Sequence, residues 1–100
     1  MPSNTTSRVF FYVYVLESTI DGKRYIGYTS NIKKRLEEHK TGGTPSTQPR
    51  RPFKMVYFEG CLNSNDAKRR ERYLKTTQGR KFLGLRLSEY KREKAFGSGS

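Results

Sequence analysis

From Val9 to Leu16 the chain reads Val-Phe-Phe-Tyr-Val-Tyr-Val-Leu, an unbroken block of β-branched and aromatic residues. A block apolar on both faces suits a central strand. Asp21-Gly22 marks a tight turn, and Lys23 to Thr29 is expected to return as the second, antiparallel strand of a hairpin. Asn31 is a good N-cap, so Ile32 to Lys40 is expected to be a helix, stopped by Gly42-Gly43. Thr44 to Pro52, with three Pro and two Arg, is a loop, and Phe53 to Glu59 is a third strand. Ser64 or Asn65 would cap a second helix over Asp66 to Lys75. Gly79 would break the chain, and Arg80 to about Tyr90 would form a third helix with Phe82, Leu83 and Leu87 on its apolar side. The order β-β-α-β-α-α predicts an α/β (α+β) fold, a small three-stranded antiparallel sheet flanked by helices. One domain would span residues 9–92, after a polar, aperiodic leader at 1–8. Residues 93–100 would be a tail whose Gly97-Ser98-Gly99-Ser100 resembles a cloning scar.

Three polar residues sit on the wrong side of this pattern. In the first helix Ile32 and Leu36 mark the apolar stripe, with Lys33, Lys34, Glu37 and Glu38 outside it. Arg35 and His39 fall one turn apart on the edge of that stripe, pointing toward the sheet. A snorkelling Arg and a satisfied core His would explain each alone. In the second helix Ala67 and Leu74 define the inner face, and Glu71 lies between them while Arg69, Arg72 and Tyr73 lie away. A carboxylate on that face needs a partner: a salt bridge to Arg35 or Arg70, or a cation. Hard divalent ions accept one carboxylate completed by waters and substrate phosphate. Tyr14 shares a strand face with Phe10, Tyr12 and Leu16, and Tyr25 can share that face across the hairpin. Two tyrosines near an inward Arg, His and Glu suit metal-assisted phosphodiester hydrolysis.

Charge narrows the partner. The 100 residues hold 21 Lys+Arg against 9 Asp+Glu, a formal net charge of +12, which favours a polyanion. An anionic membrane would require a longer apolar stretch than Val9 to Leu16, and there is no span or signal segment. With 32% hydrophobic residues, much of the core volume must come from the 7 Tyr and 6 Phe. Cys61 is the only cysteine, so no intrachain disulfide forms. A reducing cytoplasm is the expected setting, with Cys61 as apolar filler.

Tyr12-Val13-Tyr14 followed, ten residues further on, by Tyr25-Ile26-Gly27 resembles the two-part signature of the GIY-YIG nuclease superfamily, and of its short bacterial stand-alone members in particular. Arg35, His39 and Glu71 follow in the family's order, and the resemblance covers roughly Phe10 to Leu87. It implies a metal-dependent endonuclease that hydrolyses DNA phosphodiesters with one Mg²⁺ or Mn²⁺ ion. By the same resemblance Tyr14 would be the general base or hold the attacking water, Tyr25 would position water or phosphate, and Arg35 would hold the scissile phosphate. His39 would bond Tyr14 or the phosphate, Glu71 would bind the metal, and Gly27 would let the backbone pass close to the site. The chain departs from the pattern in three places. Tyr12 replaces a Gly, Thr76-Thr77-Gln78 and the residues to Leu87 lack an Asn that many members carry, and Tyr28 stands where some carry Lys.

Arg50, Arg51, Lys68, Arg70 and Lys75 are the expected nucleic-acid contacts, with Arg80-Lys81 a further basic cluster. No recognition helix or zinc finger is visible, so a branched or distorted duplex is a better substrate expectation than a long specific sequence. The runner-up function is a nucleic-acid or ribosome-binding module on the same fold without turnover. As to assembly, the pattern fits a monomer or weak dimer equally.

Overall fold

The computed structural model describes residues 9–40 and 53–96, without the side chains of His39, Lys40 and Phe96. The expected leader, the Gly42-Gly43 stop, the Thr44 to Pro52 loop with Arg50 and Arg51, and the Gly97 to Ser100 tail lie outside the described residues.

Three strands form one antiparallel sheet: β1 (Phe11–Ser18), β2 (Arg24–Thr29) and β3 (Phe53–Cys61), in the order β2-β1-β3. The central strand is the apolar block, as expected, but displaced by two residues. Val9 and Phe10 are apolar yet unpaired, because β2 ends opposite Tyr12 and β3 ends opposite Phe11. Glu17 and Ser18 are polar yet paired, with Arg24 and Phe53. Partner length, not local hydrophobicity, sets these ends. The hairpin closes through Ser18, whose N–H donates to Lys23 O (2.9 Å) and whose hydroxyl accepts from Ile20 N (3.1 Å). Gly22 takes φ +72, a conformation that favours glycine.

The four helices are α1 (Ile32–Lys40), α2 (Ser64–Leu74), α3 (Thr77–Arg86) and α4 (Ser88–Phe96). Asn31 caps α1, its Oδ1 accepting from Lys34 N at 3.0 Å, as the sequence suggests. The cap of α2 is Asn63 rather than Ser64 or Asn65; its Oδ1 accepts from Asn65 N (2.8 Å) and Asp66 N (3.3 Å). Gly79 does not break the chain. It lies inside α3, buried, and Thr76 supplies the cap through a hydroxyl that accepts Gly79 N (3.1 Å). A Cβ at Gly79 would strike the Tyr73 carbonyl and the Leu74 backbone, so glycine is there to let α3 start hard against the end of α2. The expected single helix from Arg80 to Tyr90 is two helices, broken at buried Leu87 (φ −107, ψ 22).

Alternate residues of β1 face opposite ways. Val13 and Val15 join Ala67, Leu74 and Leu83 in the core, so α2 and α3 cover that face. Each of the Val and Leu side chains contributes about 1.5–3 kcal/mol when fully buried. A bulge in β3 follows Val15, since Val15 pairs with Tyr57 but Leu16 with Met55. Next along the covered face is Glu17, only 4% exposed. Its carboxylate accepts from Tyr90 Oη (2.7 Å), Lys94 Nζ (2.7 Å) and Arg24 Nε (3.0 Å), which ties α4 to the sheet. Burial alone would raise the Glu17 pKa, but the hydrogen bonds from Lys94, Tyr90 and Arg24 outweigh it and hold the pKa below 4.5. Burial and the Glu17 carboxylate push the Tyr90 phenol up to about 12.

Two outcomes follow. Gly79→Ala should lower stability by about 1–3 kcal/mol in urea unfolding, although helix propensity alone favours Ala by about 1 kcal/mol. Glu17→Ala should cost about 3 kcal/mol by leaving Lys94 and Arg24 without their buried partner. Because the folded pKa of Glu17 is depressed, its contribution is complete above the unfolded value and is lost as pH falls through the folded one. Acid unfolding of wild type should therefore show a loss of stability below about pH 4.5 that Glu17→Gln lacks.

Candidate active site

The opposite face of the sheet carries the even-numbered residues of β1, of which Tyr14 and Leu16 are buried. Tyr14 stands at its centre, opposite Gly27 on β2 and Phe58 on β3. Its ring lies across the hairpin on Gly27: a Cβ built there would fall on the Tyr14 hydroxyl and ring carbon Cζ. Gly27 is thus a seat for the phenol. Tyr12 repeats the arrangement on the other side, where a Cβ at Gly60 would come within 2.9 Å of its ring. Tyr12 therefore packs over β3, edge-on to Phe58 (5.9 Å between centroids), and its bulk is directed away from β2. That explains how the chain tolerates Tyr where the family signature has Gly.

Tyr25 pairs with Leu16, which puts it on the Tyr14 face as the hairpin register allows. Its half-buried ring packs edge-to-face on Phe53 (5.4 Å). Arg35 comes from the first turns of α1, immediately after β2. It is half-buried, whereas Leu36 of the expected apolar stripe is 38% exposed, so the inward face of α1 is rotated toward Arg35. Arg35 Nη1 pairs with Glu38 Oε1 at 3.3 Å. Its Nε is buried and has no hydrogen-bond partner among the described residues. Beside it Thr29, Ser30, Asn31, Lys34, Arg35 and Glu38 line a cavity of about 190 Å³, roomy enough for a phosphate group and waters of about 30 Å³ each. Glu38, read from the sequence as part of a solvated face, is half-buried at this cavity. Its spacing of three from Arg35 was the available signal.

Glu71 is on α2 with its side chain 23% exposed. Its salt bridge goes to Lys75 (Oε2 to Nζ, 3.1 Å), not to Arg35 or Arg70. Arg35, Glu71 and Glu38 all act on the ionisation of Tyr14. Burial, the largest influence, raises the phenol above its ordinary 10.0; Arg35 pulls it down, and Glu71 and Glu38 push it up. At neutral pH Tyr14 is a protonated phenol that feels the charge of one cation and two carboxylates. The backbone of His39 closes α1, while its side chain lies outside the described residues, as do Arg50 and Arg51.

The remaining basic residues divide. Lys68 lies over the Tyr28 ring at 5.4 Å, and Lys75 holds Glu71. Arg70 is a structural group: its Nε donates to Glu59 Oε2 (2.8 Å), its guanidinium covers Phe82 (4.7 Å), and the Glu59 bond raises its pKa. Among the described residues no cluster of three His, Cys, Asp or Glu could hold a metal. A single carboxylate fits a hard divalent ion only as one ligand among waters and phosphate oxygens, and Glu71 has one oxygen outside the Lys75 bridge to offer. The orphaned Arg35 Nε supplies the complementary need for an anion. No described helix is long and apolar enough to cross a membrane.

The GIY-YIG catalytic domain matches residues 10–83. The chain belongs to this nuclease-domain family. Among its relatives are UPF0213 proteins, a stand-alone GIY-YIG type. That of Clostridium perfringens is 43% identical over 65 residues, covering 64% of this chain and 69% of the relative. That of Oceanobacillus iheyensis is 36% identical over 83 residues, covering 82% and 93%. The solution NMR structure of a UPF0213 protein from Bacillus halodurans is 32% identical, with a TM-score of 0.47 over 74% of this chain and 81% of that one. The relatives' names state no activity. The family implies nucleic-acid binding and generally a divalent metal.

Packing of Tyr14 on Gly27 can be measured in this GIY-YIG domain. Gly27→Ala should destabilise it by about 1–3 kcal/mol through overpacking. In a Tyr14→Ala background the same change should be nearly neutral. A double-mutant cycle in urea should give a coupling of about 1 kcal/mol or more, and additivity would contradict the packing.

Proposed function

We propose that the protein is a metal-dependent endonuclease that hydrolyses DNA phosphodiesters, selecting distorted or branched structure rather than a long sequence. The observation that carries this reading is the buried Arg35 Nε, without a hydrogen-bond partner among the described residues, on a side chain that lines a phosphate-sized cavity and, with Glu71, acts on the ionisation of Tyr14. A structural Arg in a protein interior would have its N–H groups satisfied. One that keeps a donor in reserve is suited to an incoming anion.

Arg35 would grip the scissile phosphate and oppose the negative charge that grows on it as water attacks phosphorus. Tyr14, fixed on Gly27, would align that water, and Tyr25 and His39 would complete the positioning. Held by Glu71, a Mg²⁺ or Mn²⁺ ion would polarise a phosphate oxygen and stabilise the leaving alkoxide. The Tyr14 phenol, raised by burial, can accept a proton only where neighbouring positive charge assists it. Arg35 already pulls in that direction. Lys68 and Lys75 would contact flanking phosphates. The cell compartment we assign is the cytoplasm.

A binding module without turnover is favoured by one observation, the existing Glu71–Lys75 salt bridge. The two readings separate on labelled branched and linear DNA with Mg²⁺ or EDTA. The nuclease reading expects metal-dependent nicking that Glu71→Ala abolishes while binding persists. Equal cutting by wild type and Glu71→Ala would overturn it, and binding without cutting by either would favour the module. Tyr14→Phe should slow cleavage by about 10²–10⁴-fold if the phenol transfers the proton. Wild-type kcat/KM should then rise with pH through neutrality, since the reactive phenolate is the minor form, and Tyr14→Phe should flatten that rise.

A further inference from the structure

A second pocket lies on the covered side of the sheet, away from the Tyr14 face. It holds about 260 Å³ and is lined by Gly22, Arg24, Ile26, Arg80 and Leu83. Arg24 and Ile26 pair with Glu17 and Val15, which fixes them on the opposite face of β2 from Tyr25 and Gly27. Among the described residues no acid lines the pocket. Two guanidiniums do, beside two apolar side chains that lower the local dielectric and strengthen any charge interaction.

The carboxylate behind this pocket is already committed. Glu17 accepts from Arg24 Nε, Tyr90 and Lys94, so one negative charge faces two cations before Arg80 is added. The Glu17 bond pins Arg24 at its inner nitrogen. Among the described residues neither the terminal nitrogens of Arg24 nor the Arg80 guanidinium has a hydrogen-bond or ion-pair partner. A pinned guanidinium with its outer donors available, facing a second one across a concave site, matches the fork geometry that recognises phosphate.

We propose that this pocket binds a phosphate group, and that in the working protein the group is a backbone phosphate of the nucleic acid cut at Arg35. Its assignment to nucleic acid rests on the nuclease-domain reading; the phosphate chemistry does not. β2 is an edge strand, with alternate residues facing the Tyr14 site and the pocket. A strand folded around that edge would meet both. The pocket would thus grip substrate away from the reacting bond and favour nucleic acid that can bend around a protein edge.

The test uses the full chain in EDTA, where cleavage plays no part. Inorganic phosphate is titrated while the amide resonances of Gly22, Arg24 and Arg80 are followed by NMR, with a short labelled oligonucleotide as competitor. The expected result is saturable shifts at these three amides, lost in Arg80→Ala and reversed by the oligonucleotide. For oligonucleotide binding, the slope of log affinity against log salt should fall by about 0.9 for a duplex in Arg80→Ala, one phosphate's worth. Arg80 is exposed on α3, so folding should survive, and Arg80→Lys should restore part of the slope. Phosphate shifts that the oligonucleotide fails to reverse would keep the phosphate site but overturn its assignment to nucleic acid, pointing to a free phosphate or nucleotide. No saturable shift, or an unchanged salt slope in Arg80→Ala, would overturn the proposal. Neither result bears on Glu71-dependent cutting, so the two readings fail separately.

Discussion

The strict alternation of side chains along β1 is the constraint on which the other features rest. Val13 and Val15 belong to the core beneath α2 and α3 while Tyr12 and Tyr14 face the other way, so one strand serves both the packing and the candidate site. A slip of one residue would send Tyr14 under α2 and the valines to the outside. The register is fixed twice, by antiparallel partners on both sides, and by glycines at 27 and 60 that only this register brings beneath the two tyrosine rings.

Scarcity of acid shapes the rest. With 9 acidic residues against 21 basic ones, each partly buried carboxylate has a distinct task. Glu17 and Glu59 lie on the covered face, where they bind α4 and α2 to the sheet through Lys94 and Arg70. Glu38 and Glu71 lie near Tyr14 and bias its ionisation. The basic residues have correspondingly different roles. Arg70 is held by Glu59 and packed on Phe82, while among the described residues Arg35 Nε has no partner, although both are arginines on helices.

Much of this was legible in the chain. The three strands, the α1 boundaries and the inward positions of Arg35 and Glu71 follow from periodicity and capping. The helix details depend on contacts that local composition does not encode. Gly79 reads as a breaker because glycine is a poor helix former, but its role is set by the Tyr73 and Leu74 backbone at the end of the preceding helix. Leu36 reads as core, yet the sheet beneath α1 takes Arg35 instead. Asn63 is followed by two further polar cap candidates, so local composition does not single it out. Glu17 was hidden because its partners lie 73 and 77 residues away, beyond any local pattern.

Tyr12 and Gly60 carry a consequence for the history of the fold. In this chain the large ring and the missing side chain occupy one shared space across β1 and β3. Restoring glycine at 12 would leave that space empty, and enlarging 60 alone would overfill it. The two positions are therefore expected to drift together in descent, a glycine at either one permitting bulk at the other. The counterpart pair of Tyr14 and Gly27 has no such freedom if the proposed role of the phenol holds, because exchanging them would remove it from the candidate site.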